Sequence, residues 1–413
     1  MAEIVDADPF PYPVVPAGEL FQRPSLCQST ERRGHDVEVL TGFPNYPEGK
    51  LYPGYHVRFY QREVMAGITV HRVPLYPSHD KSTLRRILNY LSFSLSAFFL
   101  GPFLVKKPDV IYVYNLITLG PPAFLLRFLY GAKVIIDVQD LWPESVANSG
   151  MMGNEISLRI LSGICNWVYA GADHVTVLSP GFKENMIRRG AVPEKIDVIY
   201  NWCEEVGGGV SGTLHDLSKG TEYAEKFIVL FAGSMGTVQG LDTVLACASL
   251  CSKSLPDVLF VLIGGGVDRP RLQQRAAELG LANVVFLPPR PVEEMGEIYS
   301  IADVLLVHLK DDPLFRITIP SKTQAYLYKG KPIIMAMNGD AAALVRSAGA
   351  GVVCEPDKPQ EMMKAVSMLR DMPVNERQAM GESGHRFYME QLSFEKGVDK
   401  FEQIMKSLVK KAA

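Results

Sequence analysis

The chain has 413 residues, 47% of them apolar and 21% charged, with a formal net charge of −3. At roughly 100–200 residues per domain this length predicts two or three domains, and the apolar content excludes a largely disordered chain. The near-neutral balance supplies no global basic field, so nucleic acid is not an expected partner. The six cysteines, Cys27, Cys165, Cys203, Cys247, Cys251 and Cys354, form no CxxC pair. With histidine sparse and scattered they read as reduced core thiols, and no metal site is expected. Residues 1–16 are acidic and proline-rich rather than basic and then apolar. That is unlike a secretory leader, and the expected location is the cytoplasm.

The beginning of the chain yields no clear element. Pro9, Pro11, Pro13 and Pro16 argue against a central strand in residues 3–16, and the helix expected before Gly34 carries Pro24. Short β-branched runs then predict strands at Val37–Thr41, Val110–Tyr114, Lys133–Val138, His174–Leu178 and Ile196–Tyr200. Between the first two lies Leu84–Lys107, whose apolar core runs from Ile87 to Val105. Asn89, three serines and Pro102 interrupt it. It is long enough to consider a membrane span, but reads first as a helix packed on the first sheet or as one resting on an anionic bilayer. Arg85, Arg86, Lys106 and Lys107 stand at its ends. In the second case the protein would be peripheral on the inner face of the cytoplasmic membrane.

Residues 204–222 are glycine-rich and poor in large apolar side chains, and predict a linker. Strands are then expected at Phe227–Ala232, Val258–Ile263, Val284–Leu287, Val304–Val307, Pro332–Met335 and Gly351–Cys354, with amphipathic helices such as Asp268–Leu279 and Gln360–Leu369 between them. This alternation predicts α/β architecture with parallel sheets covered on both faces. The expected domains are 1–203, the linker 204–222, 223–392, and a C-terminal amphipathic helix within 393–413.

Three elements of the second half bear on anion binding. The run Phe227–Ala232 leads into Gly233-Ser234-Met235-Gly236-Thr237-Val238-Gln239-Gly240 and then a helical pattern. Strand, glycine turn and helix present backbone N–H groups and a positive helix end to a phosphate. The spacing matches neither GxGxxG nor the Walker A motif, and an ordinary tight turn would look the same. Val258–Ile263 leads into Gly264-Gly265-Gly266, another open backbone at a strand end. Pro320-Ser321 reads as a helix start with Ser321 as its cap. Lys322 then falls in the first turn, where the helix dipole disfavours a cation unless an anion is bound.

Taken in order, these elements resemble the family 4 glycosyltransferases, the retaining enzymes of the GT-B fold. The resemblance is to the bacterial surface-polysaccharide branch in particular, which includes the N-acetyl-L-fucosaminyl (L-fucosamine) transferases. It spans about residues 31–392. It is carried by Gly34-His35-Asp36-Val37, Leu40 through Pro47, Asp140-Leu141-Trp142-Pro143-Glu144-Ser145 and Asn201-Trp202. In the second half it rests on Phe231 through Leu241, Ala302-Asp303-Val304, Pro320-Ser321-Lys322 and Gly330-Lys331-Pro332.

The resemblance implies two Rossmann-like doubly wound domains facing a cleft. It implies transfer of a sugar from a nucleotide-sugar, UDP-linked, with an N-acetylated deoxyhexosamine among the sugars it suggests. The acceptor would be a lipid-linked saccharide, in O-antigen or capsule assembly. Gly233, Ser234, Gly236, Gln239, Gly240 and Gly265 would meet the diphosphate, Arg290 the base, and Ser321 and Gln324 the phosphates or donor sugar. Lys322, Asp140 and Glu144 would be the catalytic residues, with Gln139 beside them. The nucleotide-sugar is a substrate, and neither a cofactor nor a metal ion is expected. The sequence departs from the family at Ile317 and Ala325, where many members carry glutamates, and at Gln239, where a lysine is common. The family's first strand and acceptor-side glycine loop are not recognisable in residues 1–20. A relative that binds nucleotide or glycan without transfer, and a UDP-sugar 2-epimerase, are the alternative readings.

Overall fold

In a computed structural model the described residues are 2–4, 22–45, 49–78, 83–148, 154–205 and 225–410. The chain forms two compact units. Met1–Tyr200 and Gly397–Ala413 make the first, and Asn201–Lys396 the second. Most of the predicted linker lies outside the described residues.

The first unit is built on an eight-stranded sheet in the order β3-β4-β2-β1-β5-β6-β7-β8. Its strands are β1 (Ala2–Ile4), β2 (Glu38–Thr41), β3 (Gln61–Met65), β4 (Ile68–Arg72), β5 (Val110–Tyr114), β6 (Lys133–Val138), β7 (His174–Val177) and β8 (Ile196–Val198). All neighbours pair in parallel except β3 with β4. Strands β2, β5, β6 and β7 are buried along nearly their whole length, as a sheet covered on both faces requires.

Strand β1 corrects the sequence reading. It lies between β2 and β5 at the centre of the sheet, and is completed before the first proline, Pro9. The prolines exclude a strand only where they stand. The expected acceptor-side glycine loop falls in residues outside those described. Pro24 sits in the first turn of α1 (Gln22–Arg32), where a missing N–H costs nothing because that group has no intrahelical partner.

The β3–β4 hairpin carries no clear strand pattern in the sequence because its strands mix charged with apolar residues. Its turn is built by Ala66 (φ 50°) and Gly67 (φ 91°), the two left-handed residues of a tight hairpin turn. The hairpin buries Arg72 completely. Glu63 pairs with that guanidinium and the Gly42 carbonyl accepts from it at 2.9 Å, so the buried charge is compensated.

Helix α2 (Thr83–Leu104) continues through Pro102, against the expectation of a break there. The proline removes one N–H near the end of the helix, and the ladder resumes with Val105 N–H donating to Gly101 O at 3.1 Å. Helices α3 (Gly120–Tyr130), α4 (Glu144–Asn148), α5 (Glu155–Gly171) and α6 (Pro180–Arg188) complete the first half.

The second unit has a six-stranded parallel sheet in the order β11-β10-β9-β12-β13-β14. The strands are β9 (Phe227–Ala232), β10 (Val258–Ile263), β11 (Val284–Leu287), β12 (Val304–His308), β13 (Ile333–Ala336) and β14 (Gly351–Cys354). This is the doubly wound arrangement, with strand order reversing between β9 and β12. Helices α7 (Asp242–Ser254), α8 (Arg269–Glu278), α9 (Val292–Ser300), α10 (Pro313–Arg316), α11 (Ser321–Lys329), α12 (Asp340–Ser347), α13 (Pro359–Asp371) and α14 (Val374–Gln391) cover it. One face buries Phe231, Phe260, Leu262 and Leu306 against Val244, Cys247, Met362 and Val366.

The terminal helix α15 (Phe394–Lys410) belongs to the first unit from Gly397 onward. There Phe401 packs edge-on to Tyr112 with ring centroids 5.5 Å apart. Glu402 accepts from Arg33 at 3.1 Å and lies 2.9 Å from His35 Nε2.

Candidate functional site

Ligands of open α/β sheets bind beyond the carboxyl ends of the strands, where the strand order reverses. In the second unit that point lies between β9 and β12. The turn after β9 and the turn after β10 meet there.

Gly233 N–H donates to Ile263 O at 2.9 Å, Met235 N–H to Gly265 O at 2.6 Å, and Asp268 N–H to Met235 O at 3.0 Å. The two turns therefore form one laced backbone surface. Glycine is required for this approach: a Cβ on Gly264 (φ 146°) would sit 1.9 Å from Gly233 O, and one on Gly266 would sit 2.5 Å from Met235 O. Beneath the turns, Arg271 donates to Asp242 at 2.9 Å and to Asp268 at 2.6 Å, tying together the starts of α7 and α8.

Lys322 reaches the same turn from α11. Its stem is partly exposed, but its ammonium nitrogen is shut off from water and has no hydrogen-bond partner. The nitrogen lies 3.8 Å from the centroid of the Phe231 ring, and 3.3 Å from where a Cβ on Gly233 would stand. Burial drives the Lys322 pKa down to about 7, because a lone charge in a dry site favours proton loss. Tyr326, one turn later, accepts from Ala232 N–H at 3.0 Å, so α11 is fastened directly to the end of β9.

The other predicted donor-side residues divide. Gly233 and Ser234 are exposed on the turn. Gly240 takes up a left-handed conformation (φ 58°) and closes the loop. Gly265 faces Pro289 of the turn after β11 at 3.8 Å from its own Cβ position, which brings Arg290 to the same edge. Arg290 Nη1 lies 3.6 Å from Glu294 Oε2. Gln239 and Gln324 have intramolecular tasks. The Gln239 side-chain oxygen accepts from Gly236 N–H at 2.9 Å, inside the turn. Gln324 is 2% exposed, and its amide donates to the carbonyls of Pro320 and Ser321 at 2.8 and 2.9 Å. Ser321 is not a cap: Pro320 occupies the cap position, and Ser321 is the first helical residue, exposed.

His308 is not among the site residues the sequence predicts, yet it fixes the far end of the glycine turn. Its Nδ1 lies 2.6 Å from the Gln239 carbonyl oxygen, and the Asp357 N–H points at its Nε2 at 3.4 Å. A carbonyl can only accept, so Nδ1 carries the proton and Nε2 accepts. The ring is neutral, in keeping with burial lowering its pKa. A histidine ending an apolar strand resembles any core residue, and only the position of Gln239 reveals its role.

In the first unit the predicted residues lie beyond β5 and β6. Asn115, with φ 56°, leaves β5 in a left-handed conformation. Its side-chain oxygen accepts from the N–H groups of Gln139 and Asp140 at 3.2 and 2.9 Å, and its amide donates to Asp140 Oδ2 at 2.9 Å. Asp140 is thereby held exposed at the strand end. Gln139 turns inward to the buried Asp137 at 2.9 Å, which also receives bonds from Tyr112 and Thr176. The Glu144 carboxylate pairs with Arg189 at 3.3 Å, and the same guanidinium donates to Trp142 O at 2.8 Å. Trp202 is buried and packs edge-on to Phe394 at 5.4 Å. Among the described residues no group of histidine, cysteine and carboxylate side chains is placed to hold a metal ion.

Comparison with known proteins agrees with this anatomy. Residues 24–202 match a family model described as the glycosyl transferase 4-like domain, and residues 215–387 match glycosyl transferases group 1. A protein of Escherichia coli (strain K12), provisionally named as the colanic acid biosynthesis glycosyl transferase WcaI, is 28% identical over 67% of this chain and 69% of its own. The Pseudomonas aeruginosa protein provisionally named glycosyltransferase WbjE is 24% identical over 66% and 68%.

Among solved structures, sucrose-phosphate synthase from Thermosynechococcus elongatus superposes with a TM-score of 0.70 at 17% identity, covering 98% of both chains. Anabaena HepE in complex with UDP and glucose gives 0.68 at 15% identity, covering 98% and 99%. The family models between them run from residue 24 to residue 387, and with the two doubly wound units they establish that the chain belongs to the GT-B glycosyltransferases.

Proposed function

We propose that this glycosyltransferase moves a sugar from a UDP-sugar to a lipid-linked saccharide during assembly of a bacterial surface polysaccharide, with retention of anomeric configuration. The observation that carries the donor reading is the buried, unpartnered ammonium group of Lys322 against the glycine turn. A cation held without an anion in a dry site is costly, and a diphosphate on the turn would supply the missing partner. The names of similar proteins are in keeping with this reading: one is provisionally named for colanic acid biosynthesis, and the HepE structure is described with UDP and glucose, in keeping with the donor.

The chemistry follows from these groups. The bond between the anomeric carbon and the diphosphate oxygen breaks, and its electron pair stays on the phosphate. Backbone N–H groups of the two glycine turns and protonated Lys322 stabilise that charge as it develops. The acceptor hydroxyl forms its new bond on the face the diphosphate leaves, and its proton passes to the departing phosphate oxygen. No protein nucleophile is needed. Asp140 serves in this reading to orient the acceptor.

The test is a panel of nucleotide-sugars scored by thermal stabilisation, followed by product analysis with the stabilising donor and a lipid-linked saccharide extract. Binding to the native state raises the melting temperature according to affinity. Stabilisation by one UDP-sugar and an α- or β-product matching the donor's own configuration is the expected result. Binding without turnover would favour a nucleotide-binding relative that has lost transfer, the reading suggested by Ile317 and Ala325. Absence of binding by any donor would overturn the proposal.

A further inference from the structure

The first unit carries an apolar surface that its own core does not use. On α2 the side chains of Leu84, Leu88, Leu91, Leu95, Phe99 and Phe103 are all exposed, the last at 86%. Their spacing of three and four residues puts them in one stripe along the helix. At 1.5 Å per residue the stripe is roughly 30 Å long.

The stripe continues onto two neighbouring helices. On α3, Phe128 is 85% exposed and Leu129 is exposed beside it. On α5, Ile156, Ile160, Ile164 and Trp167 repeat the helical spacing, all exposed. Helix α3 binds the other two together. The Tyr130 hydroxyl donates to Pro102 O of α2 at 2.6 Å, and the Phe124 ring meets the Trp167 ring edge-on at 5.3 Å. Three adjacent helices thus present one apolar face. Large contiguous patches of this kind mark interaction surfaces rather than ordinary scatter.

Charge selects the occupant. Residues 83–107 and 120–130 contain no acidic residue, and α5 contains only Glu155. Exposed Arg85, Lys107 and Arg159 flank the face, and Lys106 adds a charge shared with Asp36 at 3.1 Å. An apolar face rimmed by cations fits the interface of an anionic bilayer, where acyl chains take the apolar groups and headgroups the charges. A two-fold contact between copies of the chain would bring this predominantly positive rim against itself.

The helix does not cross the membrane. Leu84–Leu104 is long and apolar enough to do so, with a mean hydropathy of 1.5. Its other side, however, is committed to the sheet. Asn89 donates to Asn45 at 3.2 Å, Ser94 to Thr118 O at 2.5 Å, and a Cβ on Gly101 would stand 3.2 Å from Leu40.

We infer that the exposed face of α2, α3 and α5 is a docking surface for an anionic lipid bilayer, lying on the membrane without spanning it. The surface lies wholly in the first unit and stands independently of the donor-site reading.

The experiment is co-sedimentation of the full chain with vesicles of phosphatidylcholine alone and of phosphatidylcholine containing one-third phosphatidylglycerol. Trp167 is the internal reporter. The expected result is binding to the anionic vesicles, weakened at least about tenfold by the double variant Phe99→Asp, Phe103→Asp and reduced by Arg85→Glu with Arg159→Glu. Lipid brominated on its acyl chains should quench the emission of the wild type, and Trp167→Phe should remove most of that quenching while leaving sedimentation in place. An unchanged melting temperature and unchanged UDP response in the aspartate variant show that it folds. Absence of vesicle binding, binding indifferent to these substitutions, or a solution dimer that Phe99→Asp dissolves would each overturn the inference.

Discussion

The ammonium nitrogen of Lys322 stands 3.8 Å above the ring of Phe231, and no hydrogen-bond acceptor reaches it. The aromatic face gives the cation partial compensation, which is less than an ion pair would give. The strand that ends in the glycine turn supplies the ring, and the helix that starts beside the turn supplies the charge. Both elements bring the lysine against Gly233.

Lys322→Met should separate ligand binding from stability. The substitution keeps the stem and removes the charge. It is expected to lower UDP-sugar turnover at least about 100-fold, the range found when one stabilising group is lost from a developing anion. Without nucleotide the variant should melt no lower than the wild type, since a buried unpaired cation is itself unfavourable. Steady-state kinetics and thermal melts on the same sample check both halves.

The pH dependence of stability carries the same signature. In the folded chain Lys322 titrates near pH 7, and in the unfolded chain near 10.4. Between these values the unfolded state binds more protons, so this group makes stability rise with pH from about 7 to about 10. The wild type minus Lys322→Met difference in melting temperature, measured across that window, should move in that direction.

Gly264→Ala tests the lacing of the turns. A Cβ there would stand 1.9 Å from Gly233 O at a φ of 146°, so backbone must move. The variant should lose several kcal/mol of stability, on the order of 3, together with the nucleotide response. Gly280→Ala is the control. Its φ is 62° and its Cβ position is open, so the expected cost is about 1 kcal/mol with nucleotide binding retained.

Asn115→Gly keeps the left-handed backbone and deletes the three side-chain bonds to Gln139 and Asp140. Transfer to acceptor should fall about tenfold or more, while UDP binding by the second unit is unchanged. Loss of UDP binding in this variant would contradict the separation of roles between the units.

Glu402 offers a test at the terminal helix. Lys406, His35 and Arg33 together hold its pKa down at about 2. A depressed carboxylate stabilises the fold above its unfolded pKa of ~4.3, and that contribution is lost as pH falls toward 2. Glu402→Gln should therefore melt below the wild type at pH 7, with the two converging near pH 2.

Much of this molecule was legible in the sequence because buried parallel strands are continuous apolar runs. Phe227–Ala232, Val258–Ile263, Val110–Tyr114 and Lys133–Val138 are strands at their expected bounds. The parts that escaped are those where tertiary contact replaces local pattern. Strand β1 has three residues, too few for a periodicity, and is ordered by ladders on both sides. The β3–β4 hairpin contains a buried arginine that looks solvent-facing until Glu63 is beside it.

The candidate site divides in the same way. Glycine turns and Lys322 announce themselves by residue type. His308 and Asn115 act through backbone groups distant in sequence, and the contacts of Glu144 with Arg189 and of Gln324 with the Pro320 carbonyl are likewise invisible to local pattern.

The most direct test of the account is calorimetric titration of UDP at pH 8.5 in two buffers of different ionisation enthalpy, with the wild type and Lys322→Met. At that pH the free lysine is mainly neutral, and a bound diphosphate should restore its charge. The account predicts uptake of about one proton per UDP by the wild type and none by the variant. Binding of UDP without proton uptake by the wild type, or uptake that persists in Lys322→Met, would contradict it.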